Sequence, residues 1–207
     1  MRLFERIIFQ EEIRHPSKLI IDKNQYAYRE NSNTTAALIR CQHHWLKWLD
    51  DKANFIRVIS GDFSKAFDSV SHDILTQKLK STNLNPYIIN WLINFISCRK
   101  QRVTVDGTVT NFVNINREVP QGTVLGPFLF SLMVNDIEAK HPQTNNLVKF
   151  ADDLTVSVPV TSSGDSALDE VTNIESWASN NRMKLNFKKT WEMLLCTRSP
   201  AIPPPPY

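Results

Sequence analysis

A chain of 207 residues, 42% of them hydrophobic and 22% charged, has enough apolar material for a core of its own and the make-up of an ordinary folded protein. No apolar run approaches the roughly 20 residues needed to cross a bilayer, so no membrane insertion is expected. A formal charge of +3 is too small to mark a nucleic-acid binder by itself, and where the charges fall matters more.

In chain order, residues 1–14 set apolar pairs and charges at helical spacing. Residues 32–52 do the same through Ala36, Ala37, Leu38, Cys41, Trp45, Trp48 and Leu49, behind Ser32 as a capping residue. Both segments predict helices. Phe55-Ile56-Arg57-Val58-Ile59-Ser60-Gly61 reads as a strand that delivers Asp62 at its end, loosened locally by Gly61. Ser71-His72-Asp73 opens a helix through Ile74, Leu75 and Leu79. Asn85-Pro86 opens another, with Pro86 at the first helical position, where a missing N–H costs nothing.

Residues 101–118 then alternate around Asp106-Gly107, a strong hairpin signal. Leu125–Ile137 is apolar enough for a helix buried under a sheet. Leu147, Val148 and Phe150 lead into Asp152-Asp153, and Leu154, Thr155, Val156 and Val158 lead out, which predicts a hairpin with the acids at its tip. Residues 165–183 return to helical period, and strands near 184–187 and 192–197 close the core. Residues 200–207, with Pro203 to Pro206, form a tail that fits neither helix nor central strand. Helices and strands mixed in this way predict an α+β fold.

Three scattered cysteines, Cys41, Cys98 and Cys196, have no metal-ligand spacing and cannot all pair. With no secretory signal in Met1 to Arg6, they fit a reducing, intracellular compartment, nuclear or cytoplasmic. The basic clusters Arg99-Lys100-Gln101-Arg102 and Arg182, Lys184, Lys188, Lys189 are either solvated faces or nucleic-acid contacts.

The chemistry is carried by the acids. Two adjacent carboxylates repel each other, and a divalent cation with a preference for hard oxygen ligands relieves the repulsion. An Asp-Asp turn can also be no more than a solvated hairpin tip. Asp62, delivered by its own strand, would complete a three-carboxylate cage with Asp152 and Asp153, the arrangement used in two-metal phosphoryl or nucleotidyl transfer.

The motifs resemble a known family. Asp62-Phe63-Ser64-Lys65-Ala66-Phe67-Asp68-Ser69-Val70 resembles the first catalytic motif of reverse transcriptases from non-LTR retrotransposons. Val119-Pro120-Gln121-Gly122-Thr123-Val124-Leu125-Gly126-Pro127 resembles the motif under the incoming nucleotide. Phe150-Ala151-Asp152-Asp153 is similar to the catalytic hairpin, and Asn186-Phe187-Lys188-Lys189-Thr190 to the lysine-bearing motif after it. Asn24-Gln25-Tyr26-Ala27-Tyr28-Arg29, with Ser32, Thr34 and Thr35, is similar to a fingers segment.

The resemblance implies a polymerase palm with partial fingers and the thumb absent. Residues 1–198 would be the reverse transcriptase domain, with 1–54 as partial fingers, 55–198 as palm and 199–207 as a proline-rich tail. It implies Asp62, Asp152, Asp153 and Lys189 as catalytic residues, with Lys188 the lesser candidate for the lysine. Phe63 through its carbonyl joins the three acids in holding two Mg²⁺, for which Mn²⁺ can substitute. Phe63, Phe67, Gln121 and Gly122 face the dNTP, and Phe67, unless it only packs in the core, excludes a 2′-hydroxyl. Asp68 is expected to be a structural acid, while Arg29 and Lys65 are candidates for phosphate contact. The expected activity is RNA-dependent DNA polymerase, with an RNA template, a DNA primer and dNTPs as partners. The alternative is a catalytically silent retroelement remnant that at most binds nucleic acid.

Overall fold

The structure, a computed structural model, describes residues 2–51, 53–162 and 164–197. Residue 198 and the expected tail from 199 lie outside the described residues. A first helical stretch runs as α1 (Arg2–Ile8), a π-helical turn (Phe9–Ile13) and α2 (Arg14–Ile20). It is longer than the sequence pattern suggested. Helix α3 (Thr34–Asp50) is capped by Asn33, whose Oδ1 accepts the Ala36 N–H at 2.9 Å, and not by Ser32. There follow β1 (Phe55–Gly61), the short α4 (Ala66–Ser69), α5 (His72–Lys80) and α6 (Pro86–Ile96). Asn85 caps α6 by accepting the Tyr87 N–H at 3.0 Å.

Two small antiparallel pairs come next: β2 (Arg99–Gln101) with β5 (Val113–Ile115), and β3 (Thr104–Val105) with β4 (Thr108–Val109). The second pair turns at Asp106 and Gly107, both at positive φ, as a primed two-residue turn requires. Helix α7 (Gly126–Met133) precedes β6 (Asn146–Phe150), β7 (Asp153–Val160), α8 (Ala167–Asn180) and β8 (Trp191–Leu195). The strand expected at 184–187 is absent among the described residues. That segment makes only a bridge, Leu185 to Phe63, because the chain turns at 186–190 before a ladder can grow.

The described residues form two compact units: residues up to Ile21 with Phe67–Asn135, and Asp22–Ala66 with residues from Asp136 on. In the first, α5 packs against α6 and α7. Leu75, Leu79, Leu92, Ile96, Leu125, Leu129 and Phe130 are all fully buried. Each such side chain contributes roughly 1.5–3 kcal/mol of transfer free energy. Every residue of α7 except Pro127 is buried, and the helix packs against α5.

The second unit is built on an antiparallel sheet ordered β6-β7-β1-β8. Strand β1 is central and pairs on both sides, Gly61 opposite Leu154 and Ser60 opposite both Thr155 and Trp191. Side chains alternate across a strand, so Ile59, Gly61, Leu154 and Val156 share one face, where Val171 and Ile174 of α8 lie with them. Ser60, Val148 and Thr155 share the other face with Ala37 and Cys41 of α3. Trp45 of α3 ties down that side by donating its indole N–H to Ser157 Oγ at 2.8 Å. Both faces are covered, so the sheet is a rigid platform whose Gly61 end presents the acids.

Candidate active site

The register of β1 against β7, continued one residue past Gly61–Leu154, sets Asp62 opposite Asp153 on the α3 face. Asp152 stands beside them in the two-residue turn Ala151-Asp152, closed by the pairing of Phe150 with Asp153. Charges from opposite ends of the sequence are thereby brought together. Asp153 keeps an open face to solvent, yet desolvation by its neighbours is the largest influence pushing its carboxyl above the usual carboxylate range. The charges of Asp152 and Asp62 push the same way, and Lys189 opposes them. A groove on this face, lined by Thr34, Ala37, Ser60, Phe150 and Trp191, runs up to Asp153.

The acids are neighbours but not yet a ligand set. Among the described residues, no three His, Cys, Asp or Glu side chains converge closely enough to hold a metal ion. The three acids form an electrostatically coupled trio in which Asp152 and Asp62 both act on Asp153. An internal cation stands beside them: Lys189 Nζ pairs with Asp62 Oδ2 at 3.2 Å, its own side chain 69% exposed. The donor chemistry of three carboxylates still fits a hard divalent cation.

Lys189 is positioned by a turn in which its N–H and the Thr190 hydroxyl both donate to the Asn186 carbonyl. The Asn186 N–H in turn donates to the Asp62 carbonyl at 2.8 Å, and Ser64 N–H to the Lys184 carbonyl. This bridge is closed by the residues flanking Phe63, so it does not engage the Phe63 carbonyl. The Phe63 ring is buried, 5.8 Å from that of Trp177.

Three features were missed in the sequence. Gln25, 1% exposed, reaches the Ala151-Asp152 turn: its Oε1 accepts the Ala151 N–H at 3.0 Å and the Ala27 N–H at 3.0 Å, and its Nε2 donates to the Ala151 carbonyl at 3.4 Å. Ala151 has φ of 55°, a left-handed conformation that costs a non-glycine residue roughly 1–2 kcal/mol. Lys149 is fully buried next to this turn, donating to Asp22 Oδ2 at 2.8 Å and the Ile137 carbonyl at 2.9 Å. Burial pushes its amine down, and Asp22 offsets this. Arg57, in the middle of the apolar β1 run, is 2% exposed and paired with Asp165 and Glu192. A basic residue inside a strand pattern was the only local signal for Arg57 and Lys149; nothing local marked Gln25.

Tyr28 is exposed, and its phenol is raised by desolvation and then by the charge of Asp152. Arg29 donates Nη1 to the Asp22 and Gln25 carbonyls and so closes its own loop.

In the first unit, the Val119 N–H donates to the Phe67 carbonyl at 2.9 Å and the Glu118 N–H to the Val70 carbonyl, which draws the two motif segments together. Phe67 stacks on the buried Phe130 ring, centroids 4.3 Å apart at 17°. Gln121 Nε2 donates to Asp68 Oδ1 at 3.0 Å. Gly122 has φ of 74°, and a Cβ there would lie 3.5 Å from Arg2 Nη2. A Cβ on Gly126 would meet the Pro120 carbonyl at 2.9 Å, so glycine is required. Of the basic cluster 99–102, Arg99 pairs with Glu118 and Arg102 lies over the Phe112 ring.

A family model described as reverse transcriptase (RNA-dependent DNA polymerase) matches residues 1–201. The chain belongs to the reverse transcriptase family. The domain is 29% identical over 216 residues to a probable RNA-directed DNA polymerase from transposon BS of Drosophila melanogaster, covering 98% of this chain and 24% of that protein. It is 29% identical over 196 residues to the RNA-directed DNA polymerase from mobile element jockey of Drosophila funebris, covering 90% and 21%. The chain thus spans about a quarter of the length of these relatives. Among solved structures, a telomerase from Candida tropicalis in complex with the TWJ fragment of telomeric RNA is similar with a TM-score of 0.66 at 12% identity, covering 92% of this chain and 35% of that one. The motif resemblance to reverse transcriptases of non-LTR retrotransposons is borne out, and the mixed helix and sheet agrees with a reverse transcriptase palm-like fold. No described helix is long and apolar enough to cross a membrane.

Proposed function

We propose that this reverse transcriptase domain performs template-directed nucleotidyl transfer, extending a DNA primer on an RNA template, with Asp62, Asp152 and Asp153 as its catalytic acids. The observation that carries the reading is the sheet register, which ends with Gly61 opposite Leu154 and so brings Asp62 up to the Asp152-Asp153 turn, where its charge acts on Asp153. In this reading residues 55–198 are the palm, 1–54 are part of the fingers, 199–207 are a proline-rich tail, and no segment of 1–207 is a thumb.

The primer 3′-hydroxyl attacks the α-phosphorus of a dNTP, the bond to the bridging oxygen breaks, and pyrophosphate leaves. Bound divalent metal, Mg²⁺ with Mn²⁺ as a substitute, supplies positive charge that acidifies the attacking hydroxyl and balances the phosphates. The three carboxylates and the Phe63 carbonyl are the oxygen donors that would hold it. Lys189, whose ammonium lies beside Asp62, would serve the departing pyrophosphate by charge or by proton. Phe67, its ring fixed by the stack on Phe130, excludes the 2′-hydroxyl, while Gln121 and Gly122 line the nucleotide side.

The test is extension of an oligo(dT) primer on poly(rA) with dTTP and Mg²⁺, comparing the wild type with Asp152→Asn. Extension by the wild type that is abolished in the variant is the expected result. Equal extension by both would remove the acids from the mechanism, and binding without extension by the wild type would favour the silent remnant.

A further inference from the structure

The catalytic turn has its own holder. Ala151 lies immediately before Asp152 in a left-handed conformation that alanine adopts unwillingly, and a two-residue turn has no ladder partner for its inner backbone groups. One buried side-chain amide, that of Gln25, engages both the N–H and the carbonyl of Ala151. Gln25 is itself held by the edge of the sheet. It forms a parallel bridge with Lys149, the Tyr26 N–H donates to the Lys149 carbonyl at 2.8 Å, and the Lys149 N–H to the Asn24 carbonyl at 2.8 Å. The buried Lys149–Asp22 pair fastens the start of the same loop. The loop is thus an extra partial strand on β6, and its Gln25 side chain hydrogen-bonds the peptide before Asp152.

We propose that Gln25 is a positioning residue for the reaction: by gripping the Ala151 peptide it fixes the rotation of the following residue and so aims the Asp152 carboxylate toward Asp62 and Asp153. The proposal rests on the reading of those acids as catalytic, but the grip itself can be measured without turnover. Loss of the grip frees the turn to relax, so Asp152 spends less time in the productive arrangement. The effect falls on metal use and on the rate of the chemical step, and dNTP affinity changes little.

The experiment combines amide hydrogen exchange with metal titration on the whole chain. In the wild type the Ala151 amide is expected to be protected although it lies in a turn, and an unprotected Ala151 amide overturns the proposal outright. Gln25→Met keeps the shape and removes both hydrogen bonds to Ala151, together with the one from the Ala27 N–H. It should lower protection at Ala151 at least tenfold while amides in the middle of β1 and β7 hold theirs, and weaken Mn²⁺ binding several-fold. Gln25→Met combined with Ala151→Gly should recover Mn²⁺ affinity, because glycine takes the left-handed conformation unaided. If primer extension is measurable, Gln25→Met lowers kcat and raises the Mg²⁺ requirement with KM for dTTP nearly unchanged. Unchanged Ala151 protection and Mn²⁺ affinity in Gln25→Met, or equal loss of protection across the whole sheet without rescue by Ala151→Gly, would contradict it. Intact protection effects with no extension by any variant would leave the grip standing and sink the catalytic reading instead.

Discussion

Replacing Arg57 by Met should cost more stability than any single change to Asp62, Asp152 or Asp153. The Arg57 guanidinium is 2% exposed, and its Nε and Nη2 both lie 3.0 Å from Asp165 Oδ2, while Nη1 donates to Glu192 Oε1. Both carboxylates are largely buried, at 19% exposure. Met fills much of the volume of the arginine stem but leaves those two carboxylates without the guanidinium, and removing one partner of a buried ion pair costs about 3–5 kcal/mol. Against the roughly 5–15 kcal/mol that holds an ordinary domain together, that is a large fraction. The neutral substitution Glu192→Gln keeps an acceptor for Nη1 and should cost only about 1 kcal/mol. Replacing Arg57, Asp165 and Glu192 together by apolar residues should recover most of the loss, since no charge is then left behind. Urea denaturation followed by circular dichroism reads all three, with the midpoint shifting and the slope unchanged. A cost below about 1 kcal/mol for Arg57→Met would show that the trio behaves as a surface ion pair and would refute the argument.

For Asp153, the folded carboxyl lies above its ordinary range, so its favourable contribution is full in acid, below that range, and is lost as pH rises through the raised value. The stability of Asp153→Asn should therefore gain on the wild type from acid to neutral pH, and a difference that does not vary with pH would contradict this. Lys189→Met removes the cation that competes for Asp62 and should tighten Mn²⁺ binding while slowing primer extension; weaker binding would mean that Lys189 does not compete. Phe67→Val breaks the stack on Phe130 at a cost of about 1–3 kcal/mol. It should also raise incorporation of rNTP relative to dNTP, and a stability loss with selectivity unchanged would return Phe67 to plain packing.

What the sequence made legible was local. The β-branched run ending in Asp62 and the two apolar arms around Asp152-Asp153 have the period of strands, and a two-residue turn fixes their register without help from elsewhere. The motif order carried the family. What stayed hidden depends on partners far along the chain: Gln25 meets Ala151 across a separation of 126 residues, and Arg57 meets Asp165 and Glu192 across 108 and 135. Periodicity reports which face a residue occupies, and it is silent about which distant group satisfies a buried charge or a strained peptide. The segment 184–187 misled for the same reason, since its apolar pattern is spent on one bridge to Phe63 and on the turn that delivers Lys189.

The claim that Asp62, Asp152 and Asp153 form the metal centre is tested most directly by a Mn²⁺ titration followed by paramagnetic broadening of backbone amides. The amides of Asp62, Asp152 and Asp153 should broaden first, at lower metal than those of other acids such as Asp50, Asp51 or Asp169. The effect should vanish when Asp62→Asn and Asp152→Asn are combined. Broadening spread evenly over surface acids, or unchanged by the two substitutions, would contradict the account.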